Sequence, residues 1–142
     1  MEKLLNYDII IDIEMITNIS GGNRIFEIEF FTADHLHFKM VFEDVWDMRY
    51  AIENGCIDRF VEFRKTLDAD IIDNGTYIVE NSEYIKCFER QASGTLPTKL
   101  LTDFIVCDST DTVIEVLSTT FPKLIKLDRT PASTTNPSST IS

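Results

Sequence analysis

The chain is short of positive charge. Its 142 residues hold 13 lysines and arginines against 24 aspartates and glutamates, for a net charge of −11. Binding to nucleic acid depends on neutralising phosphates with lysine and arginine, so this balance argues against nucleic acid as a direct partner. Cysteine is scarce as well. Cys56, Cys87 and Cys107 are odd in number, widely spaced and never form a Cys-x-x-Cys, a pattern that suits reduced thiols better than a disulfide framework. Long apolar runs are missing: Asp8 and Asp12 interrupt the stretch that begins at Leu4-Leu5, so neither a signal peptide nor a membrane span is expected, and the cytoplasm is the expected compartment.

Catalytic signatures are also lacking. No serine sits in a Gly-x-Ser-x-Gly elbow, and Gly21-Gly22 has none of the rest of a phosphate-binding fingerprint. Asp68, Asp70 and Asp73 suggest calcium, yet the fifth position of that loop is Ile72 and the glycine arrives only at Gly75, which fails the EF-hand pattern. No cofactor is expected.

What is present is the material of a core. Hydrophobic residues make up 44%, with 10 Phe, 4 Tyr and one Trp, enough for one globular domain over residues 1–128. From Arg129 onward the chain is almost wholly Thr, Ser, Pro, Ala and Asn, and residues 129–142 read as a disordered tail. Ile9, Ile11, Ile13 and Met15 alternate with polar residues. So do Phe26, Ile28 and Phe30, and then Leu36, Phe38, Met40 and Phe42, which gives a three-stranded antiparallel meander. Gly21-Gly22 is the expected first turn and Thr32-Ala33-Asp34 the second. That register sets Phe30 opposite Leu36, Ile28 opposite Phe38, Glu29 across from His37 and Glu27 across from Lys39. In one pairing around Gly21-Gly22, Glu14 faces Glu29.

Asp44 reads as an N-cap with Asp47 in the first turn, so a helix is expected over Val45 to Asn54, stopped by Gly55. A second helix is expected from about Asp58 to Leu67, and a third, capped by Ser82, to about Ala92. Short strands are expected at Thr76 to Glu80, Asp103 to Asp108 and Leu124 to Leu127; Thr112 to Ser118 reads as strand or helix, with its β-branched residues favouring strand. The fold class is therefore α+β: an antiparallel sheet, made of the N-terminal meander and the C-terminal strands, with about three helices packed on one face.

Two candidate sites emerge. His35 and His37, with Glu29 opposite, offer two imidazoles and a carboxylate to a metal ion or a small hydrolase, although solvated strand faces commonly collect such residues. The other is collective. Seventeen acidic and six basic residues lie between Asp8 and Glu83, and the rest of the chain sums to zero. Asp12, Glu14, Glu27, Glu29, Asp44, Asp47 and Glu53 are the expected partner-binding carboxylates, with Trp46, Tyr50 or Tyr84 as aromatic anchors. Such a field draws in cationic proteins.

Three segments, FEDVWDMRYAIENGCIDRFVEFRK, NGTYIVENSEYIKCFERQASGT and FIVCDSTDTVIEVLSTTFPKL, cover most of residues 42 to 122. In these the chain resembles the small acidic immunity proteins of bacterial contact-dependent and polymorphic toxin systems. The resemblance implies a non-enzymatic inhibitor that binds one cognate toxin domain, a basic one on charge grounds. It carries no catalytic motif, so no functional residue transfers. A regulatory adaptor without inhibitory role is the remaining alternative.

Overall fold

A computed structural model describes residues 2–6, 12–52, 57–67, 74–92 and 100–127. Strands take up 58% of these residues and form two antiparallel sheets. The larger, sheet A, runs in the order β1 (Lys3–Asn6), β6 (Gly75–Glu80), β7 (Thr102–Cys107), β8 (Thr112–Ser118), β5 (Val45–Ile52). Sheet B runs β2 (Ile13–Gly22), β3 (Ile25–Thr32), β4 (His37–Phe42), β9 (Lys123–Leu127). Two short helices, α1 (Ile57–Leu67) and α2 (Glu83–Gln91), lie over the outer face of sheet A.

Period-2 alternation explains both sheets. The inward set of sheet B, including Ile13, Phe26, Ile28, Phe30, Met40 and Phe42, packs on Phe104, Val106, Ile114 and Val116 of sheet A. Phe42 and Phe104 meet edge-on across the layers, with ring centroids 5.3 Å apart. The opposite face of sheet A is also apolar: Leu4, Tyr77, Val79, Ile105 and Val113 take Phe60 and Phe63 of α1. Because β7 and β8 are covered on both sides, they read as continuous buried runs rather than alternating ones.

The expected packing of about three helices on one face is thus corrected to two stacked sheets backed by two helices. The physical cause lies in Val45–Ile52. Asp47, Arg49 and Ala51 face the helix side, opposite Leu117, Glu115 and Val113, while Met48 and Tyr50 face the other. That is strand periodicity, and pairing with β8 satisfies it. Asp44 is no N-cap. It sits in the two-residue link between β4 and β5, where its carboxylate takes the Thr119 hydroxyl and the Trp46 indole N–H.

The two remaining helices match the expectation. Ser82 caps α2, its Oγ accepting from the Ile85 N–H at 3.0 Å. Asp58 opens α1, and Arg64 and Lys65 close it, as the helix dipole favours.

The meander β2–β3–β4 forms, with other turns. Asn23 and Arg24 make the first, at φ 53° and 67°, the doubly left-handed geometry of a tight hairpin, so Gly21-Gly22 belongs to the strand. The second turn includes His35 at φ 68° and is longer than expected. Phe30 therefore pairs with Phe38 and Glu29 with Lys39, a register two residues away that keeps Phe38, Met40 and Phe42 on the inner face, while Leu36, expected opposite Phe30, is exposed in the turn. The turn at Asn23 and Arg24 places Asn18, not Glu14, opposite Glu29, and irregularities follow between Ile16 and Asn18 and between Ile13 and Met15. Ile9, Ile11, Glu53, Gly55, Cys56, the Asp68-Asp70-Asp73 loop and the tail 129–142 lie outside the described residues.

Candidate functional site

The expected acidic residues fall into three groups. Glu27 and Glu29 stand on the outer face of sheet B, each with a basic side chain beside it: Lys39 Nζ at 3.5 Å from Glu27 and the His37 imidazole, through Nε2, at 3.4 Å from Glu29. Asp44 contacts Arg24 at 3.3 Å; the Thr119 hydroxyl, followed by the Trp46 and Arg24 donors, holds its carboxyl below the usual range. Asp47 is exposed and reaches the Tyr84 hydroxyl, whose ionisation is pushed up by burial first and by that carboxylate second.

Asp12 and Glu14 form the third group, with two residues not singled out in the sequence. Both are exposed, at the start of β2. Ala33 N–H donates to the Asp12 carbonyl at 3.3 Å, and Ser109 N–H and Oγ donate to the Glu14 carbonyl at 3.3 and 2.5 Å. These bonds draw the β3–β4 turn, with Asp34, and the β7–β8 turn, with Asp111, to the same end of the sandwich. Asp12, Glu14, Asp34 and Asp111 make no ion pair among the described residues. Asp108 fixes this rim from beneath. Buried, its carboxylate accepts from Ile16 N–H at 2.9 Å, Thr110 N–H at 2.9 Å and Thr112 N–H at 3.0 Å, which ties sheet B to the turn of sheet A.

The proposed metal constellation does not assemble. His37 lies on β4 against Phe31, with ring centroids 4.5 Å apart, whereas His35 sits exposed in the preceding turn. Among the described residues no group of three His, Cys, Asp or Glu side chains is placed to hold a metal ion. The aromatic anchors divide too: Tyr84 is buried, Trp46 is half-buried under the Arg24 guanidinium at 3.8 Å, and Tyr50 is 58% exposed.

Sequence reasoning missed a buried ion network under the helices. Arg59 of α1 makes two bonds to Glu115, at 2.7 and 2.8 Å, and two to Glu2, at 3.0 and 3.1 Å. Arg49 adds bonds to Glu115 at 2.7 and 2.8 Å. Asp103, fully buried, accepts from Ser82 Oγ at 2.5 Å and bonds to Glu115.

Three carboxyls thus face two guanidiniums, and charge balances only if one carboxyl carries a proton. Asp103 carries it: burial first, then the shared bond with Glu115, pushes its pKa up to about 9. Burial alone would raise Glu115 also, but the Arg59 bonds outweigh it and hold Glu115 below its usual range. A carboxyl–carboxylate pair invites comparison with acid–base catalysis. Here both carboxyls are closed off, with 0% and 2% of their surfaces exposed, and the neighbouring guanidiniums fill the space a substrate would need. The network joins α1, β5, β7, β8, the α2 cap and the N-terminal segment, which is a structural task. Its signal in the sequence was charge inside apolar runs, Asp103 before Phe-Ile-Val-Cys and Glu115 within Val-Ile-Glu-Val-Leu.

Among the described residues, no helix is long and apolar enough to cross a membrane. Comparison with protein-family models, with curated proteins and with solved structures found no match to this chain. The class that fold and surface define is therefore a helix-backed double sheet with an unpaired acidic end.

Proposed function

We propose that this protein is a non-enzymatic binding module that neutralises a basic protein partner in the cytoplasm, in the manner of the immunity proteins its sequence resembles. The observation that carries this reading is the acidic rim of Asp12, Glu14, Asp34 and Asp111, exposed at one end of the sandwich and without ion pairs among the described residues. Charges of one sign held on turns, backed by a rigid double sheet, face outward without reorganisation. Their field adds to a net charge of −11 and raises the encounter rate with a cationic cleft more than it raises final affinity. An inhibitor that must reach a toxin before the toxin reaches its target gains most from that rate. Glu27 and Asp44, each with a cation alongside, contribute less to the field than their number suggests.

The test starts with affinity capture from the native cell, read by mass spectrometry, and continues with stopped-flow association against the captured protein. A variant with Asp12→Asn, Glu14→Gln, Asp34→Asn and Asp111→Asn should associate at least tenfold more slowly at low salt, and its rate should depend less on ionic strength. Capture of no basic protein, or an unchanged rate and salt slope in the variant, overturns the reading.

A further inference from the structure

We propose that β5 is a contact between two copies of this chain, paired edge to edge about a two-fold axis through Met48. Strand β5 ends sheet A; among the described strands its ladder partner is β8, and at its first residue Val45 N–H donates to the Arg24 carbonyl at 2.8 Å. It is also accessible, with the Arg49 side chain 50% and Tyr50 58% exposed. The edge carries neither lysine nor proline, and beyond the irregularity between Val45 and Asp47 the regular stretch Asp47–Ala51 is a template for a further strand.

The register follows from symmetry and charge. An antiparallel pair related by a two-fold axis normal to the sheet keeps each residue on its own face, so the axis passes through a residue rather than between residues. An axis at Asp47 would set two carboxylates against each other, and an axis at Arg49 two guanidiniums. Both are unfavourable cross-strand pairs. An axis at Tyr50 leaves Asp47 without an opposite charge. At Met48, Asp47 of each copy faces Arg49 of the other, twice over, and Met48 faces Met48.

The same register brings Tyr50 of the second copy to the start of β5, where the irregularity between Val45 and Asp47 lies. A groove of about 440 Å³ opens there between the β2–β3 hairpin and β5, lined by Ile19, Ile25, Phe26, Val45, Trp46 and Met48. Met48 and Tyr50 project from the sheet-B side of β5, opposite Val116 and Ile114, so the incoming tyrosine ring arrives over that groove. On the other side of the strand, Arg49 already donates to Glu115 at 2.7 Å and has half its surface free for a second carboxylate. The pairing thus joins the two buried ion networks through Asp47. It uses none of the rim carboxylates, so it stands or falls independently of the proposed inhibitory role.

Sedimentation velocity of the full chain across low to high micromolar concentration should show a monomer–dimer equilibrium. Asp47→Arg, which sets like charges opposite on both sides of the axis, should weaken it about tenfold or more. Should that variant fold poorly, as circular dichroism would show, crosslinking decides instead. In a Cys87→Ser background, Met48→Cys should form a covalent dimer under mild oxidation, because residues directly opposite bring their Cβ atoms to within about 5.5 Å. Tyr50→Cys should not. A monomer at every concentration, or crosslinking through position 50 in preference to 48, overturns the proposal.

Discussion

Asp103→Asn tests the buried proton directly. Burial, and then the bond shared with Glu115, push Asp103 up to about 9 in the folded chain, against an ordinary 3.8. A group whose folded value is raised contributes stability that is complete below its unfolded pKa and erodes as pH rises towards the folded one. Between those limits the native state holds one proton that the unfolded chain has released, so stability falls by roughly 1.4 kcal/mol per pH unit. From pH 6 to pH 8 the loss is roughly 3 kcal/mol, large against a typical total of about 5–15 kcal/mol. Glu115 has the opposite sign. Its folded value is lowered, so its contribution is present above its unfolded pKa and constant across this window.

Asparagine reproduces the protonated acid. Its amide donates to Glu115, its carbonyl accepts from Ser82, and nothing titrates. Urea denaturation followed by the single tryptophan, Trp46, at pH 6, 7 and 8 should show the parent losing stability and the variant losing about 3 kcal/mol less over the same interval. Equal slopes in the two proteins would refute a proton on Asp103, whatever the absolute stabilities.

Removing the cation from the same network should cost more. Arg59→Met strips Glu115 and Glu2 of four short bonds and leaves a nearly fully buried carboxylate with Arg49 alone, so about 3–5 kcal/mol should be lost in denaturant titration. A loss below about 1 kcal/mol would mean that water reaches the site. Phe104→Ala, which empties the middle of the contact between the sheets, should cost about 3–5 kcal/mol by the same measurement without altering the pH slope. The rim variant described above should keep the parent's unfolding midpoint at high salt, since those four side chains are exposed and make no ion pairs among the described residues.

The sheets were legible where one face is wet and the other dry. The alternation in Phe26-Glu27-Ile28-Glu29-Phe30 specifies which side is buried, so even a register two residues off left the paired residues of β3 and β4 correctly facing, with Leu36 displaced into the turn. It also named the ion pairs Glu29–His37 and Glu27–Lys39, which form on the diagonal. What sequence could not settle was turn length, because Asn23 and Arg24 adopt the positive φ expected of Gly21-Gly22, and His35 adopts it beyond the expected turn Thr32-Ala33-Asp34.

Strand β5 was misread because Asp44 followed by Asp47 imitates the start of a helix. The partner that explains Asp44, Thr119, lies 75 positions away. Leu4-Leu5 is too short a run to announce β1, which exists by pairing with β6. The acidic site was only partly visible, since composition counts carboxylates without saying which have cations beside them. That separation depends on the fold, which gives Glu27 a lysine and brings Asp34 and Asp111 to Asp12.

Glu2 donates no more than one carboxylate to the interior, yet it makes the first residues of the chain part of an electrical balance at the centre of sheet A. Trim that glutamate, or displace it with an appended peptide, and two anions would answer two guanidiniums without any shared hydrogen. The acid at position 103 would then surrender its proton more readily, so that Glu2 sets the ionisation of a side chain a hundred residues away.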